Sequence, residues 1–425
     1  MRKPFLILAL IALLPLSSAA QVVAIKVGRL IDVEAGTSFP NQIILIEGKV
    51  VKEVGPKVAI PCGVEVIDLS NATVLPGLMD AHTHLCDLHG NTREGMLSGQ
   101  ADLLNFSVRT PTALRALIGA KNAREMLLSG FTTVRDMGNS GLYACTALRQ
   151  AIEQGFVPGP TVINAGRIIS PFGGQFGSLP PERPDLGEPE YLYADTRDEM
   201  TKAVRQNVLY GAKVIKIVVD DQPYQYTVDD IRYIIAEAAN AGLKVAAHVH
   251  TQRGMHAAVE AGVASIEHAF RATDDQLKLA KEKGVFLVGT DLTPEILPMA
   301  GAPDSLVQFY YKQVIVDRLA RAYRIGTPIA FGTDVFFPLG GKTRGEIALT
   351  YLQSFKDAGI PPADILRMMT INAARLLGVE NERGALKPGM KADIIAVNGD
   401  PLKNILELQR VKFVMKDGRV IKHEK

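Results

Sequence analysis

Two histidines one residue apart, His82 and His84, close the stretch Val74–Leu85, which reads Val-Leu-Pro-Gly-Leu-Met-Asp-Ala-His-Thr-His-Leu. Side chains alternate along an extended strand, so two imidazoles at this spacing face the same way. They make half of a metal site. Two polar residues simply closing a strand is the competing reading, and a lone His-X-His favours it. The decision rests on whether further ligands lie downstream.

Several candidates do, each in or at the end of a strand-like run. Lys216 lies in Lys213-Val-Ile-Lys-Ile-Val-Val-Asp220, and His248 and His250 close Val245-Ala-Ala-His-Val-His. His268 lies in Ser265-Ile-Glu-His-Ala-Phe, and Asp334 ends Ile329-Ala-Phe-Gly-Thr-Asp. Of the eight histidines, His89, His256 and His423 have no such placement. Imidazole nitrogen and carboxylate oxygen suit a catalytic Zn²⁺ that keeps one position open for water. Such a metal lowers the pKa of its water to about 7. A neighbouring carboxylate can then carry the proton to a leaving group. Asp334 is the candidate, as the strand-end acid that follows the histidine strands. Lys216 cannot ligate as an ammonium, and leaving it unpaired in a buried mouth is costly. Either it pairs with Asp220, Asp221 or Glu267, or its free amine takes up CO₂ and the carbamate bridges two cations. Spacing leaves both open.

These residues need a scaffold that delivers strand ends to one place. Thr227–Ala241 reads as a helix, with Thr227 capping, Asp230 three residues on and Ile231, Ile234, Ile235 and Ala238 on one face. Then follow a strand over Leu243–His250, a helix over Met255–Ala261, a strand over Ser265–Phe270 and a helix over Asp274–Lys283. A strand over Val285–Thr290, a helix over Ser305–Arg324 and a strand over Pro328–Asp334 complete the run. Such alternation implies α/β architecture with a parallel sheet, and residues 73–385 have the length of a (β/α)8 TIM barrel, whose catalytic residues sit at the C-terminal strand ends. Residues 21–72 and 386–425 are instead rich in short β segments, which suggests one small β-sandwich domain built from both termini.

Residues 1–20 read as a signal peptide: Arg2 and Lys3, an apolar run, then Ser17-Ser18-Ala19-Ala20. A secreted or periplasmic location is the expectation. Without Arg2 and Lys3 the chain carries 45 basic and 45 acidic residues, and it has no Trp. Neither nucleic acid nor an anionic membrane is an expected partner. Cys62, Cys86 and Cys145 are too few and too scattered for a disulfide framework.

The sequence resembles the metal-dependent amidohydrolase superfamily, in its imidazolonepropionase-like and prolidase-like branch. The matching pieces are Leu75–His84, Gly130-Phe-Thr-Thr-Val-Arg-Asp136, Gly211–Ile217, Val245–His248, Ala261–His268, Phe331-Gly-Thr-Asp334 and Gly389-Met-Lys-Ala-Asp-Ile-Ile. The resemblance implies two divalent metal ions, zinc the expected species. His82 and His84 would bind the inner ion with Asp334, His248 and His268 the outer one, and N-carboxylated Lys216 would bridge them. It further implies hydrolysis of an amide in dipeptides or N-acyl amino acids, ochratoxin-like amides included, by metal-bound hydroxide with Asp334 as proton shuttle. A homo-oligomer is expected on the same ground. His250, Tyr224, Tyr226 and Arg135 are the candidate substrate contacts. Two loops depart from the dipeptidase pattern. Gly173-Gly-Gln-Phe-Gly177 stands where Gly-Gly-His-Gly is usual, and Asp220-Asp-Gln-Pro-Tyr-Gln-Tyr226 where a Gly-Gly-Val loop is usual. A cyclic-amide hydrolase or deaminase, or an inactive barrel used for binding, are the alternatives.

Overall fold

The computed structural model describes residues 21–89, 99–176, 179–299 and 301–424. The signal peptide read over 1–20, and Gly177 of the first divergent loop, lie outside these residues. No helix among the described residues is long and apolar enough to cross a membrane.

Three sheets organise the chain. Strands Ile215–Val218, Val245–Val249, Ser265–His268 and Phe286–Val288 run parallel and continue through Ile168–Ser170 to Tyr191–Tyr193, giving six strands. Every residue in the first three is buried, the pattern of parallel strands covered on both faces, and the polar ones among them are Lys216, His248, Ser265, Glu267 and His268. A second parallel sheet joins Leu78–Thr83, Phe131–Asp136 and Thr161–Asn164. The strand expected over Pro328–Asp334 is not a regular ladder. It touches the six-stranded sheet through the bridge Leu287–Ile329 and the three-stranded sheet through Thr83–Val335. The described ladders therefore do not run as one closed ring, and what they establish is an α/β fold with parallel and mixed sheets.

The helix over Val228–Ala239 forms for the expected reason. The Thr227 hydroxyl accepts from Asp230 N–H while the Asp230 carboxylate accepts from Thr227 N–H. Its buried stripe is Ile231, Ile234 and Ala238. Each such isoleucine contributes about 1.5–3 kcal/mol on burial. The helix expected over Ser305–Arg324 is broken into a 3₁₀ turn, a short α turn, a π-helical stretch over Tyr311–Val316 and a final helix, Asp317–Ile325.

Strands from both ends of the chain share the third sheet, seven strands in the spatial order Arg419–His423, Val411–Lys416, Ile394–Val397, Glu65–Pro76, Val22–Asp32, Thr37–Glu47, Val50–Gly55. It is one continuous mixed sheet rather than two separately paired ones, and its fourth strand extends beyond 72 to Pro76. Alternation splits it between two cores. Val74, Ile394, Ala396 and Phe413 pack with Ile25, Ile44 and Ile67, whereas Leu75, Ile395, Val397 and Val414 pack into the main α/β core. At the passage between them stands Gly77, where a Cβ would lie 2.2 Å from Thr132 Oγ1. Only glycine fits there.

Candidate active site

His82 and His84 emerge at the end of Leu78–Thr83, where the two parallel sheets and the 328–335 segment meet. The His82 Nδ1–H donates to Glu267 Oε2 at 2.7 Å, and Glu267 is itself held by Arg135 Nη2 at 2.8 Å and the Ser265 hydroxyl. His84 Nδ1–H donates to the Gly138 carbonyl at 2.8 Å. Both rings thereby present Nε2 to Asp334 Oδ1, at 3.4 Å from His82 and 3.0 Å from His84. His268 Nδ1 lies 2.9 Å from Thr290 Oγ1. The rings form one chain, with centroids 5.2 Å apart for His82–His268, 4.5 Å for His248–His268 and 4.3 Å for His248–His250.

The backbone is bent to achieve this. His268 and Asp334 have φ of 66° and 60°, left-handed values that cost a non-glycine residue about 1–3 kcal/mol. The turn at His268 breaks the alternation of its strand, so that Glu267 and His268, though adjacent, both reach His82.

Electrostatics are tuned by burial and by mutual fields. Burial pushes the His82 imidazolium down to about 4, with the Lys216 charge adding to the effect. Burial alone would raise the Asp334 carboxyl, but His82, His84 and Lys216 outweigh it and keep Asp334 below its ordinary value. Lys216 is buried, and among the described residues it has no hydrogen bond or ion pair at contact distance. Burial pulls its ammonium down to about 8 against the opposing fields of Glu267 and Asp334. Lys213, three residues earlier, is exposed.

His248 is buried, and its Nε2 sits 2.9 Å from Asp221 Oδ2. That separation suits a hydrogen bond but the alignment does not, and Nε2 has no hydrogen-bond partner. Imidazoles anchored through one nitrogen, a shared carboxylate and an unpartnered buried nitrogen are the donor set a divalent cation takes. Among the described residues two groups bring their ligand atoms within 4.8 Å, His82–His268–Asp334 and Asp221–His248–His250.

The candidate substrate contacts fare unevenly. Arg135 is not at the mouth. Its guanidinium is buried, giving Nε to the Ala81 carbonyl, Nη1 to Ser265 Oγ at 3.0 Å and Nη2 to Glu267, so it supports His82 from beneath. Tyr226 is likewise buried, its hydroxyl donating to the Ala194 carbonyl at 2.8 Å. Tyr224 is half exposed and donates to the Phe172 carbonyl. His250 lies against His248 and stacks on Phe270 at 5.8 Å. Residues that spacing did not assign to the site are Glu267, adjacent to His268 in the same motif, and the loop pair Asp221 and Gln175. Gln175 Nε2 donates to Asp221 Oδ2 at 2.8 Å.

Residues 73–421 fit the amidohydrolase family model. The chain belongs to that family and is a hydrolytic enzyme. It is 30% identical over 443 aligned residues to an ochratoxinase from Aspergillus niger, covering 95% of this chain and 87% of that protein. It is 24% identical to an imidazolonepropionase from Deinococcus radiodurans, covering 85% of this chain and 86% of that one. The crystal structure of a Xaa-Pro dipeptidase with methionine bound in its active site superposes with a TM-score of 0.81 at 28% identity, covering 95% of this chain and all of the other.

Proposed function

We propose that this chain is a secreted amidohydrolase that cleaves an amide or peptide bond in dipeptides or N-acyl amino acids, amides of the ochratoxin type included. The observation that carries the reading is the convergence of anchored imidazoles on Asp334 beside a buried Lys216 that, among the described residues, has no anionic partner at contact distance. The ochratoxinase and the Xaa-Pro dipeptidase support the substrate class. The two parallel sheets and the 328–335 segment are read as one (β/α)8 barrel, with the seven-stranded sheet, folded around its own core, as a small sandwich-like domain from both termini.

His82, His84 and Asp334 would hold an inner cation, His248 and His268 an outer one, with Lys216 between them as a carbamate. Carbamate formation joins the neutral Nζ to CO₂ and releases one proton, and the depressed basicity of Lys216 favours the neutral amine. Bound there, divalent cations would polarise the scissile carbonyl and ionise water near neutral pH. Asp334, held as a carboxylate, accepts the proton of the attacking water and returns it to the leaving amine. Glu267 and Arg135 keep His82 in the tautomer that exposes Nε2.

A cyclic-amide hydrolase is the second reading, favoured by the imidazolonepropionase match. Enzymes of that kind typically use one metal and no bridging lysine, so Lys216 weighs against it. Metal analysis together with a panel of dipeptides, N-acyl amino acids and cyclic amides tests the proposal. Two metals per chain and cleavage of the linear amides are expected. Amide hydrolysis that persists undiminished in both Asp334→Asn and Lys216→Ala would sink it.

A further inference from the structure

The two loops that depart from the dipeptidase pattern are fastened to one another. Gln222 Nε2 donates to the Gly174 carbonyl at 2.9 Å and to that of Phe176 at 3.1 Å, and the Tyr224 hydroxyl reaches the Phe172 carbonyl. Within this wall Tyr191 O–H donates to Gln175 Oε1 at 3.1 Å, which fixes the amide so that its Nε2 must donate to Asp221 Oδ2. The carboxylate is thus aimed before anything binds. It is aimed at His248 Nε2, buried and without a hydrogen-bond partner, and at His250 beyond it. The backbone beneath is pinned as well, since His250 N–H donates to both oxygens of Asp220 at 3.0 Å and Thr251 N–H to Oδ2 at 2.6 Å.

A neutral structural role accounts poorly for this geometry. A carboxylate kept for packing would be aligned on the imidazole N–H, whereas here Asp221 Oδ2 lies 2.9 Å from His248 Nε2 out of hydrogen-bond alignment. Two lone-pair donors brought together in that way are what a cation between them requires. We infer that Asp221 and His250 join His248 and His268 around the outer cation of this enzyme, so that a loop carboxylate supplies an anionic ligand in addition to the strand-end residues. The inference rests on the reading that the imidazole cluster binds cations. It places part of the metal site on a loop that also walls the substrate cleft. A second oxygen anion beside the Lys216 carbamate makes the outer position more tolerant of harder ions such as Mn²⁺.

The test is equilibrium binding of Co²⁺ and Mn²⁺ to the metal-stripped full chain, followed by metal analysis and by the visible spectrum of the cobalt form. Wild type, Asp221→Asn and His250→Gln are compared. The expected result is two equivalents in wild type. In both variants the first is retained, while the second binds at least tenfold more weakly and its visible band changes. Asp221→Asn should also lower the preference of the second position for Mn²⁺ over Co²⁺. Retention of both equivalents with unchanged affinity and spectrum in the two variants would overturn the inference while leaving the binuclear reading intact. So would loss of both equivalents together in either folded variant, since that assigns the residue to the whole cluster. No metal uptake by the wild-type chain would instead overturn the proposed function. His250→Gln keeps the test open if Asp221→Asn does not fold.

Discussion

Two buried clusters of ionisable groups lie within the same α/β core, and they are completed to different degrees. Around Arg115 and Glu190 every group is matched. Arg115 gives Nη1 to Glu190, Nη2 to the Asn139 carbonyl and Nε to the Cys86 carbonyl, with Phe106 stacked over the guanidinium at 4.8 Å. Glu190 also accepts from the Ser107 hydroxyl at 2.7 Å and from Gly141 N–H at 3.1 Å. Around Asp334 the matching stops one layer short. Outer nitrogens are anchored to Glu267 and Gly138, while the inner ones face a carboxylate, a lysine without a contact partner and each other. A closed network holds the fold, whereas an open one holds something else. Desolvation penalises both, so the open cluster persists only because its surroundings are rigid.

The contrast predicts opposite outcomes for removing one charge from each. Asp334→Asn should lower amide turnover by about 10²–10⁴-fold, with a thermal midpoint near that of wild type, measured by steady-state hydrolysis and circular-dichroism melting. Arg115→Met strands Glu190 in the interior and should cost about 3–5 kcal/mol, read from the urea midpoint. The double variant Arg115→Met with Glu190→Leu should recover most of that loss. A large stability loss in Asp334→Asn, or none in Arg115→Met, would erase the distinction between the two clusters.

How much of this the sequence carries differs by residue. His82, His84, His248, His268 and Asp334 were legible as candidates because each stands in a short motif at or beside the end of a strand. The strand period gives His82 and His84 their shared face, whereas His268 and Asp334 are turned by left-handed backbone. The capping box at Thr227 and Asp230 was legible from local chemistry alone. In the seven-stranded sheet Asp417-Gly418, with φ of 47° and 74°, turns Val411–Lys416 back into Arg419–His423 as a hairpin. Arg135 and Tyr226 were misread for a shared reason. Residue type marks a group as able to bind, but only tertiary packing decides whether it faces the cleft or the core. Asp221 and Gln175 lie 46 residues apart in two loops whose contact no periodicity encodes. The strand at Pro328–Asp334 gave a correct position for Asp334 but not a regular ladder, because the left-handed residue that presents the carboxylate interrupts strand geometry.

A smaller effect sharpens the same comparison from its boundary. Glu267 belongs to both kinds of cluster, matched to Arg135 on one oxygen and orienting His82 with the other. Glu267→Gln keeps the shape and one acceptor but weakens the hold on the imidazole. Metal affinity should fall about 10–100-fold, measured by chelator competition, with a lesser change in stability than Arg115→Met.

The smallest expected effect lies in the seven-stranded sheet, where a third cluster joins Arg383, Asp393, Lys416 and Asp417. Asp393 accepts from Arg383, from Lys416 Nζ at 3.2 Å and from Asp417 N–H at 2.8 Å, while Asp417 accepts from Arg383 at 3.0 Å. Burial would raise the Asp417 carboxyl, but Lys416 and Arg383 outweigh it and hold it below the ordinary carboxylate value. A depressed native value means that the unfolded chain binds the proton more readily. The stabilisation is then present above the unfolded carboxylate value and is lost as pH falls through the native one. Asp417 is about one-third exposed, at 31%, so its contribution is screened and amounts to about 0.2–1 kcal/mol. Asn tolerates the left-handed backbone at this turn, so Asp417→Asn removes the charge without disturbing the hairpin. Its urea midpoint should fall below that of wild type at pH 7, and the gap should narrow as both are taken below the unfolded carboxylate value of about 3.9 and close only beneath the native one. A gap that stays constant with pH would mean that Asp417 acts through shape rather than charge, and that this closed network is held by packing.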